Sequence, residues 1–355
     1  MDTRLRIAAA TLAIGLGASS QAALGAVAGS GSTFATAAFT TFCKDTGVCS
    51  YTAKGSTGGI ADLANGLVDF AGTDATLTPD QRAAVTGRGG APLYFPMLLG
   101  AVTVPTNVDG VTGRLRLTGK TIAAIFDGEI TSWDDRRITA TNPGVGLPRA
   151  PITVCARSDG SGTSFNFSRY LTKVSPRFKA RVNFSQTPPW TAPAIVRQTG
   201  NPGIVSCVKG IRNSIGYVDL SDAAAAGLMP RVAAIGRTRR VRVRGRSILR
   251  TVYVVPSTAS VSAAGRISPR QVAPDLTIDF SASPVPGAYP ITTTTWVLTY
   301  SDYTKAGKAG SLAGVRSLLT YVYSPAAQAQ LAGLGYAPLP TQVLRAAAAQ
   351  MARLG

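Results

Sequence analysis

The chain has 355 residues, 45% of them hydrophobic and 15% charged, which suits one large divided domain or two ordinary ones and excludes a disordered chain. Lys and Arg number 36 against 17 Asp and Glu, a net charge of +19 that gathers anions from solution. The absence of His removes the imidazole of a Ser-His-Asp triad and the common zinc ligand sets, and the 38 Gly and 22 Pro follow no collagen-like period.

The first residues have the layout of a secretory signal. Arg4 and Arg6 precede an apolar stretch from Ile7 to Ala18, and Ser20-Gln21-Ala22 offers a small-x-small cleavage site. Residues 1–22 are therefore expected to be a signal peptide and the protein to be exported, periplasmic or secreted. No Cys follows the apolar stretch, so a lipid anchor is not expected.

Ala26–Ala28 then reads as a strand running into the turn GSGSTF (29–34), and Phe34, Ala38 and Phe42 recur at helical spacing to about Lys44. CSYTA (49–53) reads as a strand, STGG opens an apolar helical pattern through Leu67, and VDFAGTDA (68–75) is the next strand. Leu93–Val104 is a long apolar run, read as a strand crossing between two lobes, and residues 118–128 form a helix with Ile122, Ile125 and Phe126 on its apolar side. ITVCARSDG (152–160) is a strand ending in a turn, and GSGTSFNFSRYL continues as a helix. Residues 201–211 read as a helix, SIGYVDL (214–220) and YPITTTTWVLTY (289–300) as strands, and Val343–Leu354 as a terminal helix. Alternating strands and helices joined by Gly/Ser turns imply an α/β fold.

Four cysteines allow three pairings, among which sequence does not choose. Cys43–Cys49 and Cys155–Cys207 are expected, since each pair then falls inside one lobe, and the CKDTGVC spacing is not a zinc signature. No metal or cofactor is expected.

Three turns share one character: Ser32-Thr33-Phe34, Ser56-Thr57-Gly58-Gly59 and Gly160-Ser161-Gly162-Thr163. Each follows a strand and opens a helix, whose first N–H groups lack intrahelical acceptors and sit at the positive dipole end. Any one could be an ordinary cap. Three together, with Arg157 before the third and Asp159 placed to hold its fork, point to an oxyanion cradle.

Asp74 is the exception, a carboxylate among donors. Thr78 is better placed to cap the PDQRAA helix, which leaves Asp74 for ligand discrimination. A carboxylate accepts the proton that phosphate keeps near neutral pH and repels an unprotonated dianion such as sulfate. At about 4 Å and an effective dielectric of 20 that repulsion is roughly 4 kcal/mol, on the order of a thousandfold.

These residues carry a resemblance. GSGSTF (29–34), GSTGGI (55–60), VDFAGTDATL (68–77), residues 117–135, ARSDGSGTSFNFSRYL (156–171), SIGYVD (214–219) and YPITTTTW (289–296) resemble, in order, the PstS-type phosphate-binding proteins of bacterial phosphate ABC importers. The resemblance implies a type II periplasmic-binding fold: two lobes, each a mixed sheet flanked by helices, joined by two crossing hinge strands. Residues 24–102 plus 291–355 would form one lobe and 103–290 the other, with a basic insertion at about 237–268. Phosphate would be gripped by Thr33, Phe34, Ser56, Asp74, Arg157, Ser161, Gly162 and Thr163, with Asp159 behind Arg157. The partners it implies are inorganic phosphate and a membrane permease–ATPase complex, the carrier itself being a monomer and not an enzyme.

Departures from the family pattern are Ala35-Thr36 and Thr76, where Pro is usual, and above all RTRRVRVRGRSILR (237–250). There a period of two predicts a strand with Arg240, Arg242, Arg244 and Arg246 on one face. Such a face is either a charged sheet edge that discourages aggregation or a patch for an anionic surface partner. Nucleic acid is not expected, because no finger, helix-turn-helix or aromatic RNA motif is present. The alternatives to an importer subunit are a secreted phosphate- or polyanion-binding surface protein and, less favoured, a phosphatase on the same scaffold.

Overall fold

In the computed structural model, residues 26–355 are described, so the signal-peptide expectation for residues 1–22 lies outside the described residues. Among the described residues the strands group into three sheets. The six-stranded sheet runs, edge to edge, Val218–Asp219, Leu93–Thr103, Thr292–Thr299, Phe70–Thr73, Val27–Gly31 and Cys49–Ala53. The four-stranded sheet runs Thr106–Asn107, Ser214–Ile215, Thr153–Arg157 and Ile195–Gln198. The third joins Arg246–Val254, Ala234–Val243 and Arg116–Thr118.

Leu93–Thr103 is buried along its whole length, which explains its unbroken apolar run where alternation would mark a half-exposed strand. Pro96 has no N–H to give the ladder, and the pairing accommodates it with an irregularity. Leu98 stands opposite Thr295 and Pro96 opposite Trp296, leaving Met97 as the extra residue of a bulge. After two intervening residues, Val104 and Pro105, the chain enters the four-stranded sheet at Thr106.

The stretch 214–220, read as one strand, is two. Ser214–Ile215 pairs with Thr106–Asn107 and with Thr153–Val154, whereas Val218–Asp219 pairs with Val102 and Thr103. Gly216 and Tyr217 carry the chain from one sheet to the other, so a single period of two could not describe both halves. The Arg-rich segment is also corrected. It is a hairpin whose two-residue turn, Arg244-Gly245, has φ of 48° and 76°, the doubly left-handed turn that matches strand twist and that Gly245 adopts freely. Arg244 is therefore in the turn and Arg246 on the returning strand.

Helices cover the sheets with apolar faces. Phe39 and Phe42 of Thr36–Thr46 and Ile60 and Leu63 of Ser56–Ala64 are buried. Phe126, Phe167, Trp190 and Tyr217 pack as an aromatic cluster beside the strand that ends at Arg157, with Phe167 stacked on Tyr217 at 4.6 Å. Disulfides join Cys43 to Cys49 and Cys155 to Cys207, as expected. Their sequence separations of 6 and 52 correspond to roughly 2 and roughly 4 kcal/mol of loop-closure entropy removed from the unfolded chain. The longer bridge ties the Arg157 strand to the helix Gly200–Gly210.

Candidate functional site

The site forms where strands of both large sheets reach their carboxyl ends. Val27–Gly31 and Phe70–Thr73 deliver Ser32-Thr33 and Asp74, and Thr153–Arg157 delivers Arg157. Ligands of open α/β sheets bind outside such strand ends. The sequence-predicted residues are brought together there: Thr33, Phe34, Ser56, Asp74, Arg157, Ser161 and Thr163 are all buried, Thr33 the least so at 9% exposed.

Two hydrogen-bonded groups make up the site. In the first, Asp74 accepts from Ser32 Oγ at 2.8 Å on both carboxylate oxygens, from Thr295 Oγ1 at 2.6 Å and from Ser56 Oγ at 3.4 Å. Ser56 Oγ also lies 3.2 Å from the N–H groups of Asp74 and Gly162. A Cβ at position 162 would stand 2.4 Å from Ser56 Oγ and 2.7 Å from Asp74 Cβ, so only glycine lets the third turn approach this closely. In the second, Arg157 Nη1 donates to Thr33 Oγ1 at 3.2 Å and to Asn201 Oδ1 at 2.8 Å. Asn201 Oδ1 accepts from Thr163 Oγ1 at 3.3 Å, and its amide donates to Asp219 Oδ1 at 2.8 Å.

Arg157 is oriented as the sequence suggested. Its Nε donates to Asp159 Oδ1 at 2.7 Å, its Nη2 pairs with Asp159 Oδ2, and its own N–H donates to Tyr217 Oη at 3.0 Å. Burial pushes the Asp159 carboxyl up, but the hydrogen bonds and charge of Arg157 more than offset it and hold it below the usual range. Asp74 goes the other way. Burial raises it to about 6 from an ordinary 3.8, against the opposing pull of Thr295, Ser32, Arg157 and Ser56.

Helix starts supply further donors. Ser56 is the first residue of its helix and Thr163 the second of Gly162–Val174, so their N–H groups have no intrahelical acceptor. Ser161 caps the latter helix by accepting from Ser164 N–H at 3.1 Å, leaving its hydroxyl proton to donate. The Phe34 N–H is engaged by Ser32 Oγ at 3.1 Å, and Thr78 rather than Asp74 caps the Pro79–Gly89 helix.

Outside this cage the two sides are clasped. Thr57 Oγ1 donates to Gln186 Oε1, Thr57 N–H donates to Gly160 O at 3.2 Å, and Gln81 and Gln186 exchange amide hydrogen bonds of 3.2 and 3.0 Å. Asn166 Nδ2 bridges the carbonyls of Asp74 and Gly162.

Sequence reasoning missed Ser32 as a partner of Asp74, and also Thr295, Asn201, Asn166 and Asp219. The TTTT run (292–295) was legible only as strand propensity. Asn201, at the start of a helix behind Thr199-Gly200, showed the same helix-start pattern as the other turns and could have been found by it.

A profile of the PBP superfamily domain matches residues 16–326. The phosphate-binding protein PstS of Xylella fastidiosa is 36% identical over 249 residues, 70% of this chain and 63% of that protein, so the chain spans somewhat less than two thirds of that relative. PstS 3 of Mycobacterium leprae is 31% identical over 306 residues, 82% of this chain and 74% of that protein. The chain belongs to the PstS family of phosphate-binding proteins. In fold it is similar to a periplasmic phosphate-binding protein (PfluDING) solved with phosphate bound, at a TM-score of 0.72 and 23% identity over 92% of this chain and 93% of that one. That likeness identifies the type II periplasmic-binding fold.

Proposed function

We propose that this chain binds inorganic phosphate between two lobes and delivers it to a phosphate ABC importer. The observation that carries the reading is a buried cage rich in donors around one carboxylate. Thr33, Phe34, Ser56, Arg157, Ser161, Gly162 and Thr163 are the groups that grip the oxyanion, and Asp74 accepts the proton that phosphate retains. The lobes of this reading are residues 24–102 with 291–355, and 103–290.

Donor count argues against reliance on net charge. Arg157 is neutralised by Asp159, so hydrogen bonds and helix-start dipoles, which act strongly where water is excluded, stabilise the anion. The same cage holds no imidazole, since the sequence has no His, which supports a carrier over a phosphatase. The reading includes export to the periplasm or exterior, no lipid anchor and a monomeric carrier, because one cleft between lobes needs no second chain. No helix among the described residues is long and apolar enough to cross a membrane, which fits delivery to a separate membrane complex.

The test is titration calorimetry of the purified chain with phosphate and sulfate. Phosphate should bind and sulfate should be rejected on the order of a thousandfold, and Asp74→Asn should erase most of that preference. Absence of phosphate binding at millimolar concentration overturns the proposal.

A further inference from the structure

The cage uses one arginine, and most of the positive charge lies elsewhere. Between Ala223 and Pro274 the sequence holds ten arginines and no Asp, Glu or Lys. The centre of this stretch is the hairpin of Ala234–Val243 and Arg246–Val254. Arg116–Thr118 pairs only with Ala234–Gly236, so beyond its base the hairpin is a two-stranded finger. Arg240, Arg242, Arg244, Arg246 and Arg250 are exposed on it, and none of these makes an ion pair among the described residues.

Register distributes them around the finger. Arg240 stands opposite Leu249, Arg242 opposite Ser247, and Arg246 opposite Val243. Directly opposed residues share a face and successive ones alternate. Arg240 and Arg242 therefore occupy one face, Arg246 and Arg250 the other, and Arg244 the turn. An edge strand guarded against aggregation needs only a charge or two. Crowding like charges costs stability unless anions meet them, and an all-Arg set presents forked donors suited to phosphate oxygens.

The charge continues past the base of the finger. A groove of about 520 Å³ is lined by Gly236, Arg237 and Thr238 of the hairpin and by Lys120 and Lys173. It shares Thr118 and Lys120 with a second groove of about 490 Å³, lined by Arg137 and Arg177 with Glu129. Lys173 is paired to Asp279, and Arg137 and Arg177 to Glu129. Lys120 makes no ion pair among the described residues.

A bilayer is a poor fit to this shape. A wedge entering lipid leads with apolar residues and keeps its charge behind. Here the tip is arginine, and the exposed Ile248 and Leu249 lie behind it on opposite faces. A flexible chain of anions can instead follow both faces, its successive groups meeting Arg240 and Arg242 at about 7 Å intervals along the strand.

We propose that the finger, with the groove at Lys120, is a binding track for a linear phosphate-bearing polyanion, separate from the phosphate cage and independent of it. The test uses the full chain and fluorescently labelled inorganic polyphosphate, read by anisotropy across a salt series, with free phosphate measured by calorimetry. In R240Q/R242Q/R244Q/R246Q, all exposed positions, polyphosphate affinity should fall tenfold or more, at least the roughly 1.4 kcal/mol that tenfold represents. The slope of log affinity against log salt should become shallower by about 3, at roughly 0.7 per lost contact. Lys120→Gln should weaken binding about threefold, the scale of one exposed ionic contact. Free-phosphate affinity should not change in either variant. Unchanged polyphosphate affinity in the quadruple variant overturns the proposal, as does a collapse of free-phosphate affinity. Arginine-dependent binding to phosphatidylglycerol vesicles without binding to the polymer would overturn it in favour of a membrane surface.

Discussion

The cage and the finger, the two proposed anion sites, both hold arginine, and they do so under opposite conditions. Arg157 is 4% exposed, fixed by Asp159 and surrounded by single-purpose hydrogen bonds. Five arginines of the finger, Arg240, Arg242, Arg244, Arg246 and Arg250, are exposed and without ion pairs among the described residues. In the first place charge is cancelled locally and geometry does the selecting; in the second charge accumulates and geometry is permissive. Burial turns one guanidinium into a directional donor, whereas exposure makes five of them a field.

The largest test of that contrast is Arg157→Ala. It leaves Asp159, a half-buried carboxylate, without its main partner, which costs about 1–3 kcal/mol. A fall of two to three orders of magnitude in phosphate affinity by calorimetry, together with a lowered melting temperature, is expected, with polyphosphate binding unmoved. An equal loss of both ligands would show the two regions to be one site.

Next in size is pH. Asp74 is raised to about 6, so it is mostly ionised near pH 8 and mostly neutral near pH 5, where it loses its acceptor role and its repulsion of sulfate. The phosphate-over-sulfate preference should fall about tenfold across that interval, following the ionised fraction. The sign also holds for the ligand-free fold. The raised carboxyl favours the folded state below its ordinary 3.8, and that contribution is lost as pH rises through about 6. A preference flat over this range would remove Asp74 from the discrimination.

Smallest is the effect of salt on the cage. With Arg157 neutralised in place, phosphate affinity should change less than about twofold between about 50 and 200 mM salt, where exposed multi-charge contacts lose orders of magnitude. A steep salt dependence for free phosphate would mean that the cage, too, works by net charge.

Local chemistry made much of the cage legible in the sequence. Strand, Gly/Ser turn and helix start are neighbours along the chain, and Asp159 follows Arg157 by two residues. What escaped comes from pairings that no local pattern encodes. Thr295 reaches Asp74 across 221 positions, and Asn166 reaches the Asp74 carbonyl across 92. The hairpin escaped for a different reason. Its turn is Arg-Gly rather than the usual Asn-Gly or Asp-Gly, and the arginines on either side continued the alternation straight through it. The division of 214–220 between two sheets likewise depends on partners elsewhere in the chain.

The clasp of Thr57, Gln81 and Gln186 lies outside the residues proposed to touch the oxyanion, and on the proposed reading it comes apart before bound phosphate leaves. Its strength therefore governs residence time rather than recognition. Thr57→Val should quicken release in a stopped-flow chase while leaving the phosphate-to-sulfate ratio intact. A binding protein built this way can have its ligand's dwell tuned without redesigning what it chooses to bind.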